Sequence, residues 1–275
     1  MNYDIIGDIH GHHDELVALL KTLGYRETMR SWRHPDRTAI FVGDLIDRGP
    51  KQVATLKLVR SMTDTGAAMA IMGNHEFNAI AWATRDPEKP AECLRRHHRP
   101  GNRRQHQAFL AEVEGTALHT EIIEWFKTLP LWLDLGSIRV VHACWSDTHV
   151  SALRAHLGDG GRLTDEVILA SNRRGHWAFG AVEALCKGLE LDLPPGEAYT
   201  DQDGKRRTRA RLRWWETAPN TGTPVFFGHY RLATRPAPLA VNLACVDYTA
   251  GEGGHLVAYR WEGETELRDT HFLWV

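Results

Sequence analysis

The 275-residue sequence lacks a charge excess of either sign: 33 lysines and arginines stand against 35 aspartates and glutamates, a formal net charge of −2 with histidine neutral. That balance excludes a protein whose main task is to coat nucleic acid or an anionic membrane. No apolar run approaches the roughly 20 residues of a membrane span, so no membrane partner is expected. Cysteine is sparse. Cys93, Cys144, Cys186 and Cys245 are scattered without a CxxC pair, and the first residues carry neither the basic nor the apolar stretch of a secretory signal. Reduced thiols in the cytoplasm are therefore the expectation. With 43% apolar and 25% charged residues, the chain is no disordered tail, collagen or coiled coil. What it has in abundance is potential ligands, 16 histidines beside the 35 carboxylates.

The first 80 residues repeat one pattern three times: a short apolar run, a turn of Gly, Asp, Asn or His, then a helical periodicity. Tyr3 to Ile6 leads into Gly7-Asp8, after which Leu16, Leu19, Leu20 and Leu23 recur at helical spacing and Gly24 offers a stop. Thr38 to Val42 leads into Gly43-Asp44, with Pro50 placed to open a helix carrying Val53, Leu56, Val59 and Met62. Ala68 to Met72 leads into Gly73-Asn74 and a helix that must end before Pro87. Strands alternating with helices predict a layered α/β fold. Ligands of such sheets bind at the carboxyl ends of the strands, so Asp8, Asp44 and Asn74 can converge despite their separation in sequence.

Residues 85–118, rich in Arg, His and Pro, read as a helical or loop insertion, and the tail from Arg207 onward reads as β-rich. No linker divides the chain, which predicts one domain over residues 1–275. Five short signatures fall in order: Gly7-Asp8-Ile9-His10-Gly11, Gly43-Asp44-Leu45-Ile46-Asp47-Arg48-Gly49, Gly73-Asn74-His75-Glu76, Val141-His142-Ala143 and Gly228-His229-Tyr230. Carboxylate, imidazole and amide oxygen together suit borderline divalent ions, whereas an all-oxygen set suits Mg or Ca.

On these motifs the chain resembles the calcineurin-type metallophosphoesterases, in the branch that holds the serine/threonine phosphoprotein phosphatases and the bacterial symmetrical diadenosine tetraphosphatases. The resemblance implies central mixed β sheets flanked by helices, with a helical insertion. It implies two divalent ions, manganese first, with iron, zinc, cobalt or nickel as alternatives. Asp8, His10 and Asp44 would hold one ion and Asp44, Asn74, His142 and His229 the other, Asp44 being the bridge. A metal-bridging hydroxide would then attack a phosphoester or phosphoanhydride. His75 would protonate the leaving oxygen, with Asp47 orienting its ring and favouring its charged form. Arg48 would grip phosphate through its planar guanidinium.

A second arginine clamp is expected upstream of His229. In an unbroken strand, Arg207, Arg209, Arg211 and Arg213 would share one face, and Arg211 or Arg213 is the expected phosphate contact. The chain departs from the family after His142, where Ala143-Cys144-Trp145 would put a bulky ring near the site mouth. After His229 it has Tyr230-Arg231 in place of a further histidine, which leaves the first metal fewer protein ligands. The ten tryptophans read mostly as core, with Trp145, Trp214 and Trp215 the ones to test for base stacking, Cys144 reads as a small buried thiol, and the run Arg95 to Arg104 reads as a solvated basic face.

The expected substrate is a phosphorylated small molecule, a nucleotide, with dinucleoside polyphosphate (diadenosine tetraphosphate) ranked first. A phosphoserine or phosphothreonine protein is the alternative, an RNA end a further one, and a catalytically silent phosphate-binding scaffold the competing class. The sequence says nothing of oligomeric state.

Overall fold

The computed structural model describes residues 2–200, 206–218, 220 and 222–275. Two mixed sheets face each other. In the first, β1 (Asn2–Ile6) pairs in parallel with β2 (Arg37–Phe41), which pairs in parallel with β3 (Ala68–Ala70). The antiparallel strand His255–Trp261 closes the other side of β1 and carries Asp247–Tyr248 and Phe272–Trp274. In the second, β4 (Arg139–Val141), β5 (Val225–Phe227) and β6 (Leu243–Cys245) run parallel, and Trp132–Asp134 pairs antiparallel with β4.

Side-chain alternation along a strand sends neighbours to opposite faces. Ile5, Ile40, Val140, Phe226 and Ala244 accordingly fill the layer between the sheets. Their neighbours Ile6, Phe41, Val141, Phe227 and Cys245 pack outward into the larger core shared with the helices. Burial on both faces is why these strands read as continuous apolar runs and not as alternating ones.

The expected helices follow the first three strands. α1 (His13–Thr22) buries Leu16, Leu19 and Leu20, and Gly24 follows at φ +88°. α2 (Gln52–Asp64) starts two residues after Pro50, its first N–H groups received by the Glu112 carboxylate at 2.7 and 2.9 Å. α3 (Asn74–Ala83) is buried from Asn74 through Trp82.

Residues 85–118 differ in part from the expectation. They begin as a hairpin, Arg85–Asp86 with Lys89–Cys93, before the short helices Pro100–Gln105 and Gln107–Val113. The basic run is also less solvated than a charge count suggests: Arg95 and Arg96 are only partly exposed, and His97 stacks on Trp82 with ring centroids 3.8 Å apart.

Candidate active site

The five motifs occupy the loops that leave the carboxyl ends of β1, β2, β3, β4 and β5. They bring Asp8, His10, Asp44, Arg48, Asn74, His75 and His229 to the wall of one cleft of about 1030 Å³. His142 lies beneath it, fully buried, with its Nε2 3.3 Å from both Asp44 Oδ1 and Asn74 Oδ1.

Asp44 is the common point. Its Oδ2 lies 3.7 Å from His10 Nε2 and 3.8 Å from His75 Nε2, while its Oδ1 faces His142 and accepts the His75 backbone N–H at 3.0 Å. Two sets of donor atoms meet there, His10, Asp44 and His75 on one side and Asp44, His142 and His229 on the other. Asp8 completes the surroundings, its Oδ2 accepting the His229 N–H at 3.1 Å.

The candidate ligand atoms are aimed. His10 Nδ1–H donates to Ile46 O at 2.8 Å and His142 Nδ1–H to Val42 O at 2.7 Å. A carbonyl can only accept, so each ring carries a proton on Nδ1 and turns its Nε2 toward the cluster, the arrangement that orients metal-ligating histidines once Nε2 is deprotonated. Asp8 Oδ1 and His229 Nε2 are buried without a hydrogen-bond partner. Buried polar atoms are ordinarily satisfied; these two point to a cation. Burial and the nearby Asp247 charge push the Asp8 carboxyl well above its ordinary range, and burial holds His10 neutral down to about 3. A divalent ion relieves the first and requires the second. The donor set of carboxylate, imidazole and amide oxygen therefore fits divalent metal at Asp8, His10, Asp44, Asn74, His142 and His229.

Glycine permits the close approach. A Cβ on Gly73 would stand 2.3 Å from Asp44 N and Oδ1, and one on Gly228 would stand 2.1 Å from Asp8 Oδ1. No larger residue fits at either position without displacing a ligand carboxylate.

His75 and Asp47 meet as expected: His75 Nδ1–H donates to Asp47 Oδ2 at 2.5 Å. Burial lowers the His75 pKa, but the Asp44 charge and the Asp47 hydrogen bond outweigh it and leave the pKa above its ordinary value. Asp47 itself is held down to about 2, because hydrogen bonds from His106 and His75 overcome its burial.

His106 was not singled out in the sequence. It rises from the insertion, fully covered, and its Nδ1–H donates to the other Asp47 oxygen at 2.9 Å. One carboxylate is thus pinned between two imidazoles. Gln52 fixes the same turn, accepting the Asp47 N–H at 2.7 Å and donating to Gly49 O at 2.5 Å. Glu76 ties two ligand loops together by accepting the backbone N–H groups of Asp44, Leu45 and Gly73 at 2.8 to 2.9 Å. Only Glu76 carried a local signal, as the fourth residue of Gly73-Asn74-His75-Glu76.

The arginine row does not form one strand. Arg206–Arg207 pairs with Tyr199–Thr200, and Arg209–Arg211 pairs with Glu190–Asp192, with Thr208 between them. Trp214–Glu216 then turns into a 3-10 helix. Arg207 and Arg211 line the cleft, and Arg211 lies over the Tyr230 ring at 5.9 Å. Arg213 does not line it; its side chain is 70% exposed and pairs with Glu216 at 3.3 Å. Replacing Arg211 by alanine is expected to lower kcat/KM on a phosphate substrate by about 10- to 100-fold, the scale of a lost hydrogen bond to a charged group. Arg213→Ala is expected to change it less than about twofold, as surface substitutions do. Steady-state kinetics on the two variants checks this, and equal losses would restore Arg213 to the site.

None of the three tryptophans weighed for base stacking is placed for it, and Trp145 does not stand at the site mouth. Trp145 bonds Asp147 at 3.0 Å, with Arg139 stacked over its ring at 4.9 Å, and does not reach the cleft. Trp214 and Trp215 are buried against Phe227 and unavailable to a base. Cys144 is a buried thiol, as expected, with burial pushing its pKa to about 12.

A family model described as calcineurin-like phosphoesterase matches residues 1–248. Among curated proteins, the asymmetrical bis(5'-nucleosyl)-tetraphosphatase PrpE of Bacillus velezensis is 34% identical over 146 residues, 52% of this chain and 56% of that protein. The symmetrical bis(5'-nucleosyl)-tetraphosphatase of Vibrio cholerae is 32% identical over 142 residues, 52% of this chain and 44% of that protein. The chain thus spans about half the length of these curated relatives. Among solved structures, a serine/threonine phosphatase from Saccharomyces cerevisiae superposes with a TM-score of 0.60 at 15% identity, covering 100% of this chain and 79% of that one. A cold-active protein-tyrosine phosphatase of a Shewanella species gives a TM-score of 0.52 at 15% identity, covering 96% and 78%. Both likenesses are of fold.

Proposed function

The chain belongs to the calcineurin-like phosphoesterase family, and on that footing we propose that it is a metal-dependent hydrolase of phosphoanhydride bonds whose substrate is a dinucleoside polyphosphate. The observation that carries the hydrolase reading is the Asp44-centred cluster, in which the unpartnered Asp8 Oδ1 and His229 Nε2 face donor sets able to hold cations. The tetraphosphatase names of both curated relatives support the substrate. We assign two divalent ions to the cluster, manganese first.

Divalent ions, when bound there, supply activated water and neutralise charge on the reacting phosphate. The chain's own residues do the rest. Arg48 and Arg211 present guanidinium forks from two segments of the cleft wall and fix the phosphate. His75, anchored by Asp47, holds a proton at Nε2 on the cleft side and delivers it to the departing oxygen. His106 and Gln52 keep Asp47 from turning away.

The metal-loaded protein assayed side by side on diadenosine tetraphosphate, triphosphorylated RNA, a phosphopeptide and p-nitrophenyl phosphate tests the reading. The expected result is the highest kcat/KM on diadenosine tetraphosphate. A preference of tenfold or more for the phosphopeptide would reassign the protein to the phosphoprotein phosphatases, and inertness of the loaded protein on every substrate would make it a binding scaffold.

A further inference from the structure

Seven non-glycine residues among those described have positive φ. Five are site residues already named: His10, Asp44, Asp47, Arg48 and His229. The other two are Arg231 at φ 55° and Thr249 at φ 63°. Left-handed backbone is unfavourable for such side chains and persists where the surroundings over-determine it, most often at functional sites.

Here the surroundings are one carboxylate. Buried Asp247 accepts the Arg231 N–H at Oδ2, 2.8 Å, and the Thr249 N–H at Oδ1, 3.1 Å. It thereby fixes the loop after His229 and the 3-10 turn Ala250–Glu252. Those two loops deliver Arg231 and Glu252 to the cleft that holds the ligand cluster. There Glu252 Oε1 pairs with both Arg231 Nη2 and Arg48 Nη1.

Two guanidinium groups repel each other unless something holds them. Glu252 pairs with both guanidinium groups, and the planar guanidinium fork has the geometry that grips phosphate oxygens. The pairing brings Arg231 alongside an arginine that the family pattern assigns to phosphate.

We infer that Arg231, set beside Arg48 by Glu252, forms a second anion subsite, which receives the phosphate next to the one that Arg48 and Arg211 hold, with Glu252 as the positioning residue. The inference rests on the phosphoanhydride reading above and deepens it: a chain of linked phosphates fills the subsite, and a simple monoester leaves it unused. Selectivity for the polyphosphate is then located in Tyr230-Arg231, where the sequence departs from the wider superfamily.

The test compares metal-loaded wild type, Arg231→Gln, Arg231→Lys and Glu252→Gln on diadenosine tetraphosphate and on p-nitrophenyl phosphate, with free metal held constant. For Arg231→Gln, KM for the dinucleotide is expected to rise about 10- to 100-fold, and the ratio of kcat/KM on the two substrates to shift at least about tenfold against the dinucleotide. Arg231→Lys is expected to recover part of the loss, because an ammonium supplies charge without the fork. Glu252→Gln is expected to raise KM for the dinucleotide more than it lowers kcat. A ratio that stays put in Arg231→Gln and Glu252→Gln overturns the subsite while leaving the hydrolase reading standing. A wild type that turns over the aryl ester but not the dinucleotide overturns the substrate reading and the subsite with it.

Discussion

His75→Asn is expected to lower kcat by about 10² to 10⁴, the range that a positioned general acid contributes, with metal content unchanged. Asparagine keeps a polar group near Asp47 but cannot carry the imidazole proton. Two independent arrangements make His75 the donor: its Nδ1–H is anchored on Asp47 at 2.5 Å, and its Nε2 faces the Asp44 carboxylate at 3.8 Å in the same cleft. The sign of the pH dependence follows. A general acid works only while protonated, so kcat falls as pH rises through the His75 pKa. The Asp47 hydrogen bond and the Asp44 charge oppose the effect of burial and move that limb upward from the ordinary 6.5. Cations held at Asp44 would cancel its share and leave Asp47 as the lasting support. The alkaline limb present in wild type is expected to vanish in His75→Asn. An alkaline limb that survives unchanged, or a kcat within tenfold of wild type on a substrate with a poor leaving group, would remove His75 from the role.

The second large effect is expected from Asp44→Asn. Asp44 is the carboxylate common to both donor sets, and its pKa is held well below the ordinary value because the His142 and His75 charges overcome its burial. An amide in its place loses the negative charge and one of two coordinating oxygens. Metal content by mass spectrometry is expected to fall from two ions per chain to one or none, and turnover by more than about 10³. Thermal stability gives a readout independent of activity. An ion at 100 times its Kd stabilises the native state by about 2.7 kcal/mol, so manganese is expected to raise the wild-type Tm and to leave that of the variant nearly unmoved. Two ions bound to Asp44→Asn with native affinity would end the bridging assignment.

Much of this site was legible because its residues are announced locally. Each candidate ligand follows a short apolar strand and all but His142 adjoin a glycine, and parallel strands bring their carboxyl ends together whatever the loop lengths between them. That rule was enough to bring Asp8, Asp44 and Asn74 together, whereas His10, His142 and His229 entered as candidate ligands through the family resemblance. The residues that position them carry no such signal. His106 reaches Asp47 across 59 positions, Arg48 meets Glu252 across 204, and Glu112 caps α2 from 60 positions away. A lone histidine between two glutamines, just after Arg103-Arg104, reads like a surface residue until the insertion folds over the cleft. The arginine row failed for a different reason. Alternation places Arg207 to Arg213 on one face only if the strand is unbroken, and here it changes partner at Thr208 and ends at Arg211, ahead of the 3-10 turn at Trp214.

The sequence by itself determined the layered α/β architecture and the loops at the strand ends, since these arise from periodicities and turns a few residues long, while the His75–Asp47 pair, 28 positions apart, was expected only from the family resemblance. Only the tertiary structure decided which arginines face the cleft, that Asp47 is pinned by His106, and that Glu252 joins Arg48 to Arg231. Those outcomes depend on how distant loops pack, and a side chain's partner across such a distance is set by the whole fold and not by its neighbours in the chain.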